Sequence, residues 1–142
     1  MRRLLKVHGI AGVYAVDTNI LVRLLTQDDP AQAALARQVF AEAAIVHIPV
    51  TVFLETEWVL RYSYGFGATE IAEALRKVLA LPNVETASSK ALQVALKDLA
   101  QGLDFADALH LALSPEESIL LTFDRSFARK AAKTGYTRIK NL

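Results

Sequence analysis

Four acidic side chains lie at the edges of apolar runs that are far apart in the sequence: Asp17, Glu55, Asp107 and Asp124. A carboxylate in such a position is costly to desolvate unless the fold brings it to a rim or onto a cation. Oxygen ligands of this kind suit a hard divalent cation such as Mg²⁺ or Mn²⁺. A cation of this type lowers the pKa of a coordinated water and so generates a nucleophile for attack on phosphorus. The pattern therefore indicates an acidic metal site suited to phosphodiester chemistry.

Strand-like and helical segments alternate along the chain and must position these acids. Asp17 ends the short apolar run 12–17, and Asp124 follows 119–123, which has the strongest signal for a buried strand. Shorter strands are expected at 45–48, 84–86 and 137–139. Strands separated by helices predict a single three-layer α/β/α domain with a short central parallel sheet. In such a sheet, side chains at the carboxyl ends of the strands converge on one crevice.

Length and composition allow this interpretation. A chain of 142 residues with 53% hydrophobic residues is long and apolar enough for one domain with a large core. It contains no cysteine, so it fits a reducing compartment, and no apolar run reaches the length of a membrane helix. We therefore expect a cytoplasmic protein without membrane contact. Because the net charge is only +1, any contact with nucleic acid must come from a local basic patch.

Each acid also has a purely structural interpretation. Asp17 and Asp124 could be N-caps of the helices that follow them. Asp104 and Asp107 are three residues apart, so Asp104 could cap a helix and Asp107 could occupy its third position. Glu55 is expected beside the buried face of its helix, because Trp58 follows it at helical spacing. Four independent coincidences of this kind are less probable than one shared site.

A neighbouring acid, Glu57, has an evident partner in the sequence. Arg61 follows Glu57 by four residues, the spacing at which a carboxylate and a guanidinium form an ion pair on a helix. This pair is expected to point outward, away from the buried face.

His110 lies three residues after Asp107 and shares its helical face, but a lone histidine in a helix is more often a packed or partly exposed side chain than a ligand.

Taken together, four stretches resemble the PIN-domain family, most closely its VapC-type toxins: VDTNILVRLLTQDDP, LETEWVLR, FADALHLAL and LLTFDRSF. The resemblance covers residues 13–142, so we divide the chain into an N-terminal extension, 1–12, and a PIN-like nuclease domain, 13–142. The extension is either a misassigned start or a loosely attached arm. The resemblance implies a Mg²⁺- or Mn²⁺-dependent endoribonuclease that cuts structured RNA, commonly tRNA or ribosomal RNA. It also implies a cognate antitoxin protein that inhibits the enzyme.

Site residues follow from the same resemblance. The acidic positions of the family fall on Asp17, Glu55, Asp107 and Asp124. We expect Asp17, Asp107 and Asp124 as direct or water-bridged metal ligands, and Glu55 as the group that orients or deprotonates the attacking water. Asn19 and Thr122 fall at polar positions that support such a site. The sequence leaves open whether one or two metal ions bind.

Cations near the acids are needed to hold an RNA backbone. Arg23 and Arg125 are the leading candidates for RNA binding, since they are close in sequence to Asp17 and Asp124. Three further cations follow on the last helix, where a solvated face is the more ordinary interpretation: Arg129, Lys130 and Lys133.

Aromatic residues are concentrated between positions 53 and 66: Phe53, Trp58, Tyr62, Tyr64 and Phe66. Some of these belong in the core. Rings that are exposed would form a groove for a partner helix or the surface of a homodimer. The main alternative to the nuclease is a non-catalytic PIN-like module that binds RNA or protein. A receiver-like domain and a phosphatase with an Asp nucleophile fit less well, since Asp28 and Asp29 precede a proline and Asn19 stands where a second acid would be needed.

Overall fold

The computed structural model describes residues 12–142, and the expected extension, apart from Gly12, lies outside the described residues. This part of the chain contains five strands: β1 (Val13–Ala15), β2 (Ile45–His47), β3 (Val84–Glu85), β4 (Leu120–Thr122) and β5 (Ile139–Asn141). It also contains seven helices: α1 (Thr18–Leu25), α2 (Pro30–Glu42), α3 (Val50–Tyr62), α4 (Ala68–Leu79), α5 (Ser89–Ala100), α6 (Phe105–Leu113) and α7 (Arg125–Lys133). The predicted single α/β/α domain is confirmed.

All strand pairs are parallel, as predicted for strands joined through helices, but the strands form two sheets. The first has the order β1-β2-β3, with Val13 opposite Ile45 and Val46 opposite Val84. The second contains β4 and β5, with Leu120 opposite Ile139. Within residues 12–142, β1 and β4 are therefore both edge strands. The described strands therefore do not form one continuous sheet.

Residues 119–123 contain a strand, β4, as predicted, but the prediction that this strand is buried is wrong. Ile119 is 63% exposed, Leu121 59% and Phe123 85%. These side chains are two residues apart, at Leu121 within β4 and at the positions that flank the strand, and so lie on the same face. The alternate residue Leu120 packs against the core, so β4 has one buried face and one exposed apolar face. The apolar composition that favours burial does not reveal which neighbour provides it.

The core lies among the helices and the first sheet. Its largest fully buried side chains include Leu21, Ile48, Phe53, Leu60 and Phe105. The helix boundaries follow from local chemistry. The Asp29 carboxylate accepts a hydrogen bond from the Gln32 N–H, and Pro30 occupies the first turn of α2, where its missing N–H costs nothing. After α3, Gly65 has a φ of +69°, which favours glycine and lets the chain turn into α4.

No helix within residues 12–142 has the length and apolar character needed to cross a bilayer.

Candidate functional site

Asp107 lies in the first turn of α6, beside two other carboxylates. The Asp104 side chain caps this helix by accepting a hydrogen bond from the Asp107 N–H at 3.3 Å, as the spacing predicts. Burial raises the pKa of the half-buried Asp107 carboxyl, and the negative charges of Asp104 and Asp124 raise it further. His110 and Lys130 act in the opposite direction. Asp107 is therefore a carboxyl group whose ionised form is disfavoured by its surroundings.

Asp124 lies directly after β4 and caps α7. Its Oδ1 accepts a hydrogen bond from the Phe127 N–H at 3.0 Å. The Thr122 hydroxyl accepts one from the Asp124 N–H at 2.9 Å, so Thr122 orients the residue from the strand side. The cap uses one carboxylate oxygen. Capping and metal binding are therefore compatible at this position.

The sequence predicts Glu55 beside the buried face of α3 and Glu57 pointing outward, and the structure shows the reverse. Glu55 is exposed, whereas Glu57 is 1% exposed. The Arg61 guanidinium donates to both Glu57 oxygens, at 2.8 Å from Nε and 3.1 Å from Nη2. The predicted pair therefore forms, but its carboxylate is buried and only Arg61 reaches the surface. The paired charge is what permits Glu57 to share the buried face of α3 with Phe53 and Leu60.

Arg61 also connects α3 to the beginning of α6. Its Nη2 lies 3.5 Å from the Asp104 carboxylate, which is 43 residues away in sequence. Glu55, Arg61 and Asp104 line the same cavity of about 500 Å³, together with Trp58 and Tyr62. Glu55 therefore shares a cavity with the cap of the helix that carries Asp107. Nothing in the local sequence predicts this bridge.

Asp17 lies elsewhere, after β1. Its Oδ1 accepts a hydrogen bond from the Ile20 N–H at 3.1 Å, which makes it the N-cap of α1. A separate cavity of about 690 Å³ contains Asp17, Asn19 and Arg23 among its lining residues. Both Asp17 and Asn19 are exposed. Asp17 therefore lines a different cavity from Glu55.

The two cations proposed to bind RNA differ in their surroundings. Arg23 donates hydrogen bonds to Gln32 at 2.8 Å, to Asp28 at 3.0 Å and to the Tyr64 hydroxyl at 3.2 Å. The Tyr64 hydroxyl also donates to Asp28, and this bond is the main reason that the pKa of Asp28 is lowered. Arg23 thus joins α1 to α2 and to the end of α3. Arg125 is exposed and forms no ion pair within the described residues.

The donor chemistry suits a hard divalent cation, but the placement of the donors is incomplete. Within residues 12–142, no three carboxylate or imidazole side chains lie close enough to hold one metal ion. Asp107 and Asp124 are within electrostatic range of each other, and Asp17 lines a different cavity. In this arrangement the acids do not form a complete metal site.

Comparison with protein families gives one match. The family described as the PIN domain matches residues 14–133, a range that contains Asp17, Glu55, Asp107 and Asp124. Comparisons with curated proteins and with solved structures give no significant match.

Proposed function

The chain belongs to the PIN-domain family, generally a nuclease fold, and from this premise we propose that it is a Mg²⁺- or Mn²⁺-dependent endoribonuclease. Its substrate is structured RNA, either tRNA or ribosomal RNA, and the reaction is hydrolysis of a phosphodiester bond. The family match carries this proposal, because it spans all four acids that the sequence singles out. The raised pKa of Asp107 adds support, since groups with such perturbed pKa values are concentrated at functional sites.

In this proposal Asp107 and Asp124 are metal ligands, and Glu55 orients or deprotonates the attacking water. Repulsion from Asp104 and Asp124 disfavours the charge on Asp107, and a bound cation relieves such repulsion. Glu55 is exposed in the cavity that also contains Asp104, so RNA can reach it. The Thr122 hydroxyl supports Asp124 by accepting a hydrogen bond from the Asp124 backbone N–H.

Asp17 completes the site if the edges of β1 and β4 come together. Asp17 lies two residues beyond the end of β1, and Asp124 lies two residues beyond the end of β4. Parallel pairing of Val13 with Leu120 would therefore place the two acids side by side. Both edges also carry exposed apolar side chains, Val13 at 69% and Leu121 at 59%, which pairing into one sheet would help to cover. Asn19 and Arg23 would move with Asp17.

A pair of introduced cysteines tests whether β1 and β4 come together, since the natural chain contains no cysteine. Paired parallel strands lie about 4.8 Å apart, within the Cα distance that a disulfide spans. Val13→Cys combined with Leu120→Cys should form a disulfide within one chain under mild oxidation, and more rapidly with Mn²⁺ present. The two single-cysteine variants are the controls. Disulfides formed only between chains would show that β1 and β4 of the same molecule do not pair.

The biological role we propose is that of a cytoplasmic toxin inhibited by a cognate antitoxin. We assign binding of the RNA backbone to Arg125, and its exposure one residue after Asp124 supports this role. A homodimer or partner surface requires exposed rings, and Trp58 and Tyr62 are exposed whereas Phe53 is fully buried in the core. The charged groups around these two rings favour a different ligand. A small upstream gene encoding a DNA-binding protein would support the toxin assignment, and its product should abolish cleavage when added to the purified enzyme.

A second candidate is a non-catalytic PIN-like module that binds RNA or protein. It is favoured by one observation: among the described residues, no three acidic or histidine side chains lie close enough to hold a metal ion. Mn²⁺ titration monitored by calorimetry distinguishes the two functions. The nuclease should bind Mn²⁺ saturably and lose that binding in Asp124→Asn, whereas the non-catalytic module should show no saturable binding.

RNA cleavage tests the nuclease proposal itself. The purified protein should cleave tRNA or ribosomal RNA with Mg²⁺ or Mn²⁺, and a chelator should stop the reaction. Asp17→Asn and Asp124→Asn retain the size of the side chain but remove its charge. Each should reduce cleavage by more than ~100-fold, beyond the effect of groups that only support a ligand. Cleavage that persists in both variants would refute the assignment of these acids.

A further inference from the structure

We propose that Trp58 and Tyr62 form a stacking site for an unpaired nucleobase of the RNA substrate, adjacent to Glu55. This inference rests on the proposed function and specifies which part of the substrate the enzyme recognises. Glu55, Trp58 and Tyr62 are at helical positions i, i+3 and i+7, so they follow one another along a single face of α3. An RNA whose backbone reaches Glu55 therefore has a base within one or two helical turns of both rings.

Both rings are unusually open to solvent. Trp58 is 53% exposed and Tyr62 is 64% exposed, although apolar ring surface is normally buried. Their centroids are 5.0 Å apart, with an angle of 43° between the ring planes. The rings thus form one continuous aromatic surface. Such a surface binds bases of different identity, because every base has a π face.

The Tyr62 ring is held in place by the buried ion pair. The Arg61 guanidinium carbon lies 4.6 Å from the Tyr62 ring centroid, and Arg61 Nη1 donates to the Tyr62 hydroxyl at 3.3 Å. Arg61 is in turn fixed by its two hydrogen bonds to the buried Glu57. Because the ring is already ordered, less conformational entropy is lost when a base stacks on it. With Arg61 in contact, the Tyr62 side chain is still 64% exposed, so ring surface remains available to a base.

The lining of the cavity favours a nucleobase over a partner helix. Five polar or charged residues surround the rings: Thr51, Glu55, Glu57, Arg61 and Asp104. An apolar helix docked here would bury the exposed Glu55 carboxylate without a partner and would take the Arg61–Asp104 pair out of water. Both are costly, and charged groups are depleted in the centres of protein interfaces. A base instead presents an apolar face to the rings and hydrogen-bonding edges to the polar rim. A cavity of about 500 Å³ is large enough to admit a single nucleotide.

The consequence is a preference for RNA that is unpaired beside the cut. Bases within a duplex are already stacked and paired, whereas those in loops, bulges and ends can turn out onto an aromatic side chain. The site therefore predicts cleavage in loops or at single-stranded ends of a structured RNA. It requires no particular base, because stacking itself reads no hydrogen-bonding edge.

Tryptophan fluorescence tests the site directly, since Trp58 is the single tryptophan of the chain. The protein is titrated in EDTA, which prevents cleavage, with a short unstructured oligoribonucleotide and with an abasic analogue of the same length. We expect saturable quenching by the first and none by the second. Tyr62→Ala should weaken binding about tenfold, and Tyr62→Phe, which keeps the ring, should bind like the wild type. Circular dichroism checks that both variants are folded.

Three results would overturn the proposal: equal quenching by the abasic analogue, wild-type affinity in Tyr62→Ala, or a fluorescence change that depends on protein concentration without RNA. The last would identify the aromatic surface as a contact between copies of the chain. A separate cleavage assay with Mg²⁺ distinguishes the two hypotheses. Cleavage without base-dependent quenching refutes the stacking site and retains the nuclease. Base-dependent quenching without cleavage retains the stacking site and refutes the nuclease.

Discussion

Removal of the Arg61 side chain is predicted to destabilise the domain, because it leaves the buried Glu57 carboxylate without its partner. Glu57 is 1% exposed, and its two oxygens accept hydrogen bonds from Arg61 at 2.8 and 3.1 Å. Removing one partner of a buried ion pair costs roughly 3–5 kcal/mol, because the other charge stays buried and unpaired. The Arg61 side chain is 35% exposed, so water can enter where it stood. We therefore expect Arg61→Ala to lower the free energy of unfolding by about 3 kcal/mol, at the low end of that range.

Urea denaturation followed by circular dichroism measures this change. For a domain of this size, each kcal/mol corresponds to about 3 °C, so the melting temperature should fall by roughly 9 °C. Arg61→Ala combined with Glu57→Gln removes the buried charge as well and should recover part of the loss. A cost below about 1 kcal/mol for Arg61→Ala, as is usual for exposed pairs, would refute the argument that Glu57 is a buried charge dependent on Arg61.

Three further predictions concern single side chains. Thr56 is fully buried, and its hydroxyl has no hydrogen-bond partner within the described residues. In urea denaturation, Thr56→Val should therefore raise the free energy of unfolding by about 1 kcal/mol, and a loss of stability would contradict this. Burial and a hydrogen bond to Asp98 raise the pKa of Tyr136 to about 12, so the associated stability is present below the ordinary tyrosine pKa of about 10 and is lost as pH rises through 12. Tyr136→Phe should therefore be less stable than the wild type at neutral pH, with a difference that shrinks between those values in denaturation measured across pH, and a constant difference would argue against this coupling. The raised pKa of Asp107 means that its ionisation opposes folding, so stability is lost as pH rises through its pKa, and metal-free Asp107→Asn should be the more stable protein at neutral pH. That advantage should disappear on acidification below the ordinary carboxyl pKa of about 3.9, and an advantage that persists there would need another cause.

Local sequence patterns predict the parts of this structure that depend on neighbouring residues. Asp17, Asp104 and Asp124 each cap a helix, as their positions before helical segments indicate. The parallel pairing of strands follows from the helices between them. These features depend on contacts within a few residues or on the order of elements along the chain.

The positions of Glu55 and Glu57 could not be predicted in the same way. Taking Trp58 as a buried residue places Glu55 beside the core, but Trp58 is 53% exposed. The buried face includes Glu57 because Arg61 neutralises it, and a pattern of apolar residues does not count a paired charge as buried. The apolar pattern is therefore ambiguous wherever an ion pair can replace an apolar contact.

Long-range contacts account for the remaining differences. The bridge from Arg61 to Asp104 joins residues 43 positions apart, and no local motif marks it. The apolar composition of β4 predicts burial on both faces, but only the face of Leu120 packs against the core, and composition does not specify what lies against each face. The placement of Asp17 relative to Asp107 and Asp124 depends on whether β1 pairs with β4.

The most direct test of the proposed site compares two neighbouring acids, Asp104 and Asp107, in an RNA cleavage assay with Mg²⁺ or Mn²⁺. Asp104 caps α6 and pairs with Arg61, whereas Asp107 is half-buried beside Asp124. Asp107→Asn should reduce cleavage by more than ~100-fold, and Asp104→Asn, which keeps a capping side chain, should retain most of it. Equal losses in the two variants would show that the third acid of the site has been misplaced, and full activity in Asp107→Asn would contradict the acidic nuclease site.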